Sequence, residues 1–391
     1  MLSAYIIEKR KRKDQNVVSV IGLEDNKNKY SDFTCCFRSN NGETIVEHVR
    51  SLEHHVFSYE NSPFRRVQYT CPLPMMSKSP KWVSITTAFN KTCNKDAKYY
   101  VAVQTPSQGE LAVCTTVLYG SLSANLLLEW FEVQRVLGVD KVISYTKNLN
   151  DDAMKVLEYY ESLGLTDIIH VAGFPTRDKD IRLSDNTDRV WINQEVFALD
   201  CHTRMYGYKY VMGIDRDEFV VPNIRKYGFS LKRVLDELID SSTAGFLIKP
   251  NIHITTRKPY NESSSLFIRK YLNGTIPVYD RLKYVHVPSR THIASPSLHY
   301  FNPEDGFKRY VVSPTDVTLH HYRSCQKYFG KLFNSDSTNE EERKLNKYDT
   351  AVSTCQTIPQ FKQNDIEIIG QNIETRVLKL RHELNITKLL V

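Results

Sequence analysis

Three carboxylates lie close together in the middle of the chain, in the stretch GIDRDEFVVP. These acids, Asp215, Asp217 and Glu218, surround a single arginine, so the cluster is repulsive unless a positive group lies beside it. In an extended backbone the side chains of residues i and i+2 point to the same side, which would let Asp215 and Asp217 converge on one hard cation. Carboxylates suit Mg²⁺ or Mn²⁺, and these ions bind phosphate groups in turn. A metal–diphosphate site and an ordinary surface acid cluster both stay open on these residues alone.

The spacing D-x-D occurs a second time, at Asp178 and Asp180 in TRDKDIR. No apolar run leads into this copy, which we interpret as a solvated turn. The copy at Asp215 lies between the apolar runs YKYVMGI and EFVVP, so its context favours it as a site. Phosphatases of the haloacid-dehalogenase type also place D-x-D after a strand, but an early one, and they need Thr or Val where this chain has Phe219. That alternative is disfavoured.

Strand and helix patterns alternate in front of these acids. ELAVCTTVLYG (110–120) predicts a buried strand, and SLSANLLLEWFEVQRVLG predicts a helix with Ser121 or Ser123 at its N-cap and Gly138 after its end. Further strands are predicted at VDKVISY, TDIIHVAGF and KYVMGI, and further helices at DDAMKVLEYYESLG and WINQEVFALDCHTRMYG. This order predicts an α/β fold with a mostly parallel sheet and helices on both faces, where ligands lie beyond the carboxyl ends of the strands. Neither G-x-G-x-x-G nor G-x-x-x-x-G-K-[ST] is present, which argues against a dinucleotide fingerprint and a P-loop.

Composition and patterning divide the chain into four segments. The first is polar and irregular, the second has short β-branched runs, the third carries the strand–helix alternation, and the last has helical periodicity. We therefore predict a poorly ordered segment at 1–60, a small β-rich module at 61–108, the main α/β domain at 109–330 and a helical extension at 331–391.

Composition also limits the classes of partner and compartment. The 391 residues carry a net charge of +7 that is spread out rather than striped, so we predict no nucleic-acid partner. No apolar run reaches the roughly 20 residues that span a bilayer, and the first residues are too quickly charged for a secretory signal. Eight cysteines without C-x-x-C spacing, together with four N-x-S/T sequons, favour an oxidising compartment and a glycoprotein. The sequons are at Asn90, Asn261, Asn273 and Asn385.

Several motifs follow one another in a recognisable order. They are VCTTVLYG…LLLEWFEVQRVLGVDKVISYTKN…VLEYYESLG, then NQEVFALDCHTRMYGYKYVMGIDRDEFVVP, then LHHYRSC. From about Ala112 to Cys325 the chain thereby resembles glycosyltransferase family 92. The resemblance implies a GT-A fold for 109–330, a UDP-sugar donor (UDP-galactose), a glycan acceptor, a divalent metal (Mn²⁺ or Mg²⁺) and inversion at the anomeric carbon.

The resemblance also implies roles for the central residues. Asp215 and Asp217 fall on the family's D-x-D, which binds the metal and the donor, and Glu218 on the acid that follows it. His321, in the triplet HYR, falls where GT-A enzymes supply a late histidine to the metal, and imidazole can join carboxylates on Mn²⁺. Its neighbour His320 stays an alternative.

Further donor-binding residues follow from the same comparison of motifs. Thr116 and Tyr119, at the end of the first predicted strand, are where a GT-A fold would hold the uracil and the ribose. Asp200 and Arg204 match the family's helix before the D-x-D, where they either bind the donor or pair with each other.

An inverting transfer needs a general base that takes the proton of the acceptor hydroxyl. The segment SPSLHYFNPEDG supplies three catalytic candidates, and the choice among them stays open. The family's segment ends in a histidine that His299 matches, whereas its acid does not align with either Glu304 or Asp305.

The resemblance implies a Golgi protein with one membrane anchor, yet the sequence contains no such anchor. We expect a location in the Golgi membrane or lumen from the resemblance alone. The alternative is a catalytically inactive, lumenal carbohydrate-binding protein, which would keep the sheet but bind sugar without UDP.

Overall fold

The computed structural model of the chain contains two compact units. The first comprises Met1–Glu110, Gly173–Val211 and Val287–Glu304, and the second comprises Leu111–Ala172, Met212–His286 and Asp305–Val391. The structure describes residues 3–7, 16–25, 27, 32–39, 44–50, 53–57, 64–73, 80–87, 93, 96–171, 194–325 and 357–386.

Strands dominate the described part of the first unit and alternate with helices in the second. They are β1 (Ser3–Ile7), β2 (Val17–Asp25), β3 (Phe33–Arg38), β4 (Thr44–Arg50), β5 (Glu53–Phe57), β6 (Phe64–Pro72), β7 (Trp82–Thr87), β8 (Val101–Gln104), β9 (Gln108–Cys114), β10 (Leu118–Gly120), β11 (Lys141–Leu149), β12 (Thr166–His170), β13 (Gly207–Gly213), β14 (Glu218–Pro222), β15 (Thr243–Ile248), β16 (Pro250–Ile254), β17 (Asn273–Gly274), β18 (Lys283–His286), β19 (Lys308–Val311), β20 (Val317–Arg323) and β21 (Phe361–Lys362).

The described helices range from a single turn to the long C-terminal helix. They are α1 (Ala124–Val136), α2 (Asp151–Ser162), α3 (Gln194–Arg204), α4 (Ile224–Tyr227), α5 (Leu231–Leu238), α6 (Phe267–Lys270) and α7 (Asn364–Glu383). None of them is both long and apolar enough to cross a bilayer.

The first unit is built on one sheet of eight strands, in the order β4-β3-β7-β8-β1-β2-β6-β5. Neighbouring strands run antiparallel, except for the parallel pair of β1 and β8. A disulfide joins Cys35 of β3 to Cys71 of β6, although four strands lie between these two in the sheet. The sheet therefore curls until β3 and β6 face each other across an apolar core, where the rings of Phe33 and Tyr69 meet edge to face with centroids 4.8 Å apart.

The boundary predicted at residue 60 does not separate two structures. Residues 1–60, predicted to be poorly ordered, contribute β1 to β5, and the strands of 61–108 complete the same sheet. The polar composition was misleading, because the short apolar run 17–22 is entirely buried. Cys35 and Cys36 each form a disulfide, and such cross-links stabilise a fold with a small core by restricting the unfolded chain.

The second unit draws on a mixed sheet in the order β10-β11-β9-β13-β18-β15-β19, with β12 also paired to β11. β9, β10 and β12 all run parallel to β11, as the strand–helix alternation predicts. β15 is parallel to β19 but antiparallel to β18. The described sheet is thus mixed, and α1 and α2 connect the parallel strands β9 to β12.

Helices α1 and α7 pack together in the second unit. α1 begins at the predicted N-cap, where the Ser123 hydroxyl accepts a hydrogen bond from Leu126 N, and it ends before Gly138, whose φ is +80°. α7 accounts for most of the described part of the predicted extension, since 331–356 lies outside the described residues. It buries an apolar stripe of Ile366, Ile369, Ile373, Val377 and Leu380.

A smaller sheet of three strands, β14-β20-β16, completes the part of the second unit that concerns function. Its central strand β20 carries LHHYR, and its edge strand β14 begins at the last acid of the cluster. The antiparallel register places Glu218 directly opposite His321. Side chains opposite each other on neighbouring strands lie on the same face of a sheet.

Candidate active site

The acids of DRDE form a tight turn between β13 and β14. Glu218 N donates a hydrogen bond to Asp215 O at 3.1 Å, and Asp215 N donates to the Glu218 carboxylate at 2.8 Å. The prediction of an extended backbone at this point was therefore wrong. The acids converge because the Glu218 side chain closes the turn and holds Asp215, and Asp217 is left at its tip with 38% of its side chain exposed.

A buried lysine supplies the positive charge that the repulsion between the three acids requires. Lys283, at the start of β18, is 2% exposed and donates to Asp215 Oδ2 at 2.8 Å, with Glu218 Oε2 at 3.3 Å. Sequence reasoning missed this residue, which is 68 positions from Asp215. The available signal was a lysine at the start of the apolar run KYVHV, which a strand of this character would bury.

His321 lies against the other side of the acids. Its Nε2 atom is 3.5 Å from Asp217 Oδ2, and its Nδ1 atom is 3.4 Å from Glu218 Oε1. One ring nitrogen thus faces the partly exposed acid and the other faces the buried one. The imidazole is buried on the central strand β20.

The alternative histidine, His320, lies on the opposite face of β20. Its Nδ1 atom is 3.0 Å from His253 Nε2, and its Nε2 atom is 3.0 Å from the Thr318 hydroxyl. Burial lowers the pKa of both imidazoles, that of His253 to about 4. The pair is a neutral, hydrogen-bonded part of the interior, and the structure brings His321 rather than His320 to the acids.

The charges of the cluster shift the pKa of its acids in opposite directions. Burial acts to raise the pKa of Asp215, but the Lys283 ammonium outweighs it and holds that pKa below its ordinary value, with help from the Thr116 side chain. Burial dominates at Glu218 and raises its pKa. The surroundings thus favour the charged form of Asp215 and disfavour the charged form of Glu218.

The residues present fit a divalent cation. Three acids lie here with a single ammonium group, and a divalent ion would balance this excess of acidic groups. Adjacent ligands of an octahedral ion at roughly 2.1 Å lie about 3 Å apart, and Asp217 and His321 need only a small movement from 3.5 Å to reach that spacing. A carboxylate on the second nitrogen of a ligand histidine, as Glu218 provides, is the usual support for such a ligand.

Two buried oxygen atoms also point to something that binds here. Asp215 Oδ1 and Glu218 Oε1 make no hydrogen bond of ordinary length to the part of the chain that the structure describes. Buried carboxylate oxygens are normally satisfied, so such atoms require an explanation. As the side chains stand, no three His, Cys, Asp or Glu residues in the described ranges are grouped closely enough to hold a metal.

Of the predicted donor-binding residues, Thr116 is brought to the acid cluster. It follows β9, and its side chain helps to lower the pKa of Asp215. Tyr119 lies on β10, where it pairs with Lys147 of β11 and is partly exposed. Both residues lie in the region where the parallel strands β9, β10 and β11 end.

Asp200 and Arg204 lie on α3 in the first unit. Asp200 is 1% exposed and accepts hydrogen bonds from the hydroxyls of Ser3 and Tyr5 on β1, and Arg204 Nη2 is 3.5 Å from its carboxylate. These contacts bind α3 to β1. The sequence left open whether Asp200 and Arg204 bind the donor or pair with each other, and the structure shows that they pair. A role in donor binding stays a prediction.

The three candidates for the general base are divided between the units. His299 and Glu304 belong to the first unit, and Asp305 begins the last segment of the second. Glu304 and Asp305 are exposed, next to the turn that leads into β19, and His299 is half-buried. The second D-x-D, at Asp178 and Asp180, lies outside the described residues.

Comparisons with known proteins place this site in a family. No curated protein matches the chain. Solved structures that match include a mycobacterial protein (11% identity, 48% of this chain and 57% of that one, TM-score 0.26) and S. aureus TarS 1-349 (10% identity, 60% and 68%, TM-score 0.28). Scores this low do not bear on function. The model of glycosyltransferase family 92, by contrast, matches residues 109–355, well over half of the chain and the whole acid cluster. The chain belongs to glycosyltransferase family 92.

Proposed function

We propose that this glycosyltransferase moves a sugar, most simply galactose, from a UDP-sugar to a glycan acceptor with inversion, and that it needs Mn²⁺ or Mg²⁺. Family membership supports transfer of a sugar. The observation that carries the finer proposal is the grouping of Asp217, His321 and Glu218. A partly exposed carboxylate and an imidazole face each other at 3.5 Å, and the second nitrogen of the imidazole is backed by a buried acid.

The protein's own residues divide the work of the site. Asp217 and His321 would hold the cation from the tip of the turn and from β20. Glu218 orients the imidazole, and Thr116 lies beside Asp215 where the donor's nucleotide would enter. When bound, the cation would neutralise the diphosphate as it leaves. His299, Glu304 and Asp305 stay the candidates for the base that takes the acceptor proton.

A secretory compartment, the Golgi membrane or lumen, is part of the proposal. All seven cysteines in the described residues are in disulfides, including Cys35 with Cys71 and Cys36 with Cys93. Disulfides of this number persist in oxidising compartments. The sequons at Asn261 and Asn273 lie on described, partly exposed positions of the second unit, which supports a glycoprotein.

The decisive test is a screen of UDP-sugars in which release of UDP is measured with and without Mn²⁺, in the presence of a mixture of glycan acceptors. We expect UDP-galactose to be turned over only with the metal. The double variant Asp215→Asn/Asp217→Asn should lose turnover and Mn²⁺-dependent UDP binding while keeping its circular dichroism spectrum. Full activity in that variant would overturn the metal assignment. Sugar binding that needs neither UDP nor metal would instead identify a carbohydrate-binding protein.

A further inference from the structure

The pairing of β13 with β18 positions Lys283 in the acid cluster. Gly213 ends β13 just before the turn, and a side-chain carbon there would come within 3.1 Å of the ring of Tyr284, the residue after Lys283. The glycine thus leaves room for the Tyr284 ring. β13 and β18 are neighbours in the sheet, and this pairing brings the ammonium to Asp215 and Glu218 while only 2% of the lysine side chain stays exposed.

The ammonium takes one oxygen from each of two acids. Asp215 Oδ2 accepts its hydrogen bond, and Glu218 Oε2 lies 3.3 Å from it and also accepts from Asp215 N. A buried lysine is costly unless such partners surround it, and the acids would repel each other without it. Asp217 is not among its close partners and keeps its carboxylate towards His321.

We propose that Lys283 is a positioning residue, a permanent internal cation whose counter-ions are Asp215 and Glu218. Because Lys283 holds these two acids, Asp217 and His321 are left as the ligands of the divalent metal. The proposal rests on the proposed function in its second half, the metal. Its first half, the pairing of Lys283 with Asp215, can be tested without any metal.

The arrangement has a consequence for the two acids of the D-x-D. Asp215 would act on the metal only through its charge, across Lys283, whereas Asp217 would bind it directly. A charge that acts at a distance can be compensated by another change of charge nearby. A lost ligand cannot be compensated in that way.

The test measures Mn²⁺ affinity without a donor, by electron paramagnetic resonance of the free ion. One unit of charge a few ångströms from the metal is worth on the order of tenfold in affinity. We therefore expect Lys283→Met to bind Mn²⁺ roughly tenfold tighter, Asp215→Asn roughly tenfold weaker, and the double variant Lys283→Met/Asp215→Asn to come within about threefold of the wild type. Asp217→Asn should lose on the order of 100-fold, and Lys283→Met should not restore it.

The matched control is Lys232→Met, which removes the same charge from an exposed ion pair with Asp140 and should leave the affinity unchanged. Weaker Mn²⁺ binding by Lys283→Met would overturn the proposal. So would an Asp215→Asn defect that Lys283→Met does not relieve, because Asp215 would then be a ligand.

The second readout is thermal unfolding in EDTA. Lys283→Met leaves the buried Glu218 and the partly buried Asp215 without their counter-ion and should lower the midpoint by about 5 °C or more. Adding Asp215→Asn should recover much of that loss. If Lys283→Met fails to fold while the double variant folds, the pairing is supported; if both fail, or if neither changes the midpoint, it is wrong. Should the wild type bind no Mn²⁺ even with UDP, the metal-dependent function fails, and the unfolding series still decides the role of Lys283.

Discussion

The described part of the second unit contains two clusters of carboxylates with fully buried members, and the two clusters differ in one respect. The first is the acid cluster of Asp215, Asp217 and Glu218. The second, which we call the helix staple, comprises Glu129 and Glu132 of α1 with the α7 arginines that contact them, Arg381 and Arg376. Glu129, Glu132 and Glu218 are all fully buried.

Every carboxylate oxygen of the helix staple has donors. Glu129 Oε1 accepts from Phe267 N and Arg381, and its Oε2 accepts from Ile268 N, at 2.8 to 3.1 Å. The oxygens of Glu132 likewise accept from the Tyr160 hydroxyl and Arg376 on one side and from Arg135 on the other. The acid cluster leaves Asp215 Oδ1 and Glu218 Oε1 without such donors.

This difference is the one we expect between a structural and a functional group of acids. The satisfied acids of the helix staple join α1, α6 and α7. The oxygens of the acid cluster that lack donors are one reason why we propose a ligand there. The two groups are nevertheless connected, because Trp130, next to Glu129 on α1, donates its indole N–H to Glu218 O at 3.0 Å. The helix staple thus fixes the helix on which one wall of the site rests.

The largest effect on stability is expected from Arg381→Met. The arginine is 14% exposed, and its removal leaves Glu129 buried without its guanidinium partner, which should cost about 4 kcal/mol in the free energy of unfolding. Urea unfolding followed by circular dichroism measures it. The control on the same helix is Lys379→Met, whose ammonium is 71% exposed and pairs only with Glu383, and we expect a change below about 0.5 kcal/mol there. Equal effects of the two variants would show that the helix staple is not structural.

A pH dependence should follow from Glu129. Burial raises the pKa of Glu129 to about 7, against the ordinary 4.5, although the bonds from Phe267 N, Ile268 N and Arg381 oppose the shift. The folded state therefore binds the proton more tightly than the unfolded state does, so the stabilisation is fully present below about pH 4.5 and declines as the pH rises to about 7. The full decline is roughly 3 kcal/mol.

The measurement is the difference in unfolding free energy between the wild type and Glu129→Gln at several pH values between 4 and 8. Glutamine does not titrate, so titrations elsewhere cancel in the difference. The wild type should lose stability relative to the variant as the pH rises. Glu383→Gln, at an exposed position of α7, is the control variant. A flat difference for Glu129→Gln would mean that this acid stays ionised throughout.

Glu218→Gln tests the acid cluster, where we expect a loss of metal affinity and not a loss of stability. The amide keeps an oxygen for Asp215 N but removes the charge beside His321 Nδ1. Loss of such support costs a ligand histidine about 10- to 100-fold in metal affinity, or roughly 1.4–2.7 kcal/mol. Stability without metal should change little or increase, because one repulsive charge is gone. Mn²⁺ titration and urea unfolding of the same sample separate the two readouts, and a variant that loses stability but not affinity would place Glu218 in the structural class.

The sequence predicted those features that depend on local pattern. The apolar periodicity predicted α1, α2, α7 and the parallel strands, since a helix or strand buries one face or run of its own residues. It missed the charges whose partners are distant in the chain. Glu129 and Glu132 lie within the apolar run LLLEWFEVQRV, and the partner that satisfies Glu129 is 252 residues away. Only the fold brings such pairs together.

The candidate site shows the same division. The D-x-D and the HYR triplet pointed to Asp217 and His321, because motif order carries that information. Lys283 has no motif, and the turn at Asp215 depends on a hydrogen bond to the Glu218 side chain that no propensity encodes. The strands β1 to β5 were missed for a related reason, because short apolar strands gain stability from the disulfide at Cys35, a long-range link.

The smallest effect is expected from Arg376→Met, which sharpens the comparison within the helix staple itself. Arg376 is 40% exposed, so solvent screens its ion pair with Glu132, and that acid keeps the Tyr160 hydroxyl and Arg135 as donors after the change. We expect a loss of about 1 kcal/mol or less in the free energy of unfolding, against about 4 kcal/mol for Arg381→Met. Urea unfolding of the two variants side by side measures the ratio. Suppose that Arg376→Met costs as much free energy of unfolding as Arg381→Met. The remaining donors to Glu132 would then give that buried acid no protection against the loss of one donor. The presence or absence of donors on buried oxygens would in that case not distinguish a structural acid from a functional one.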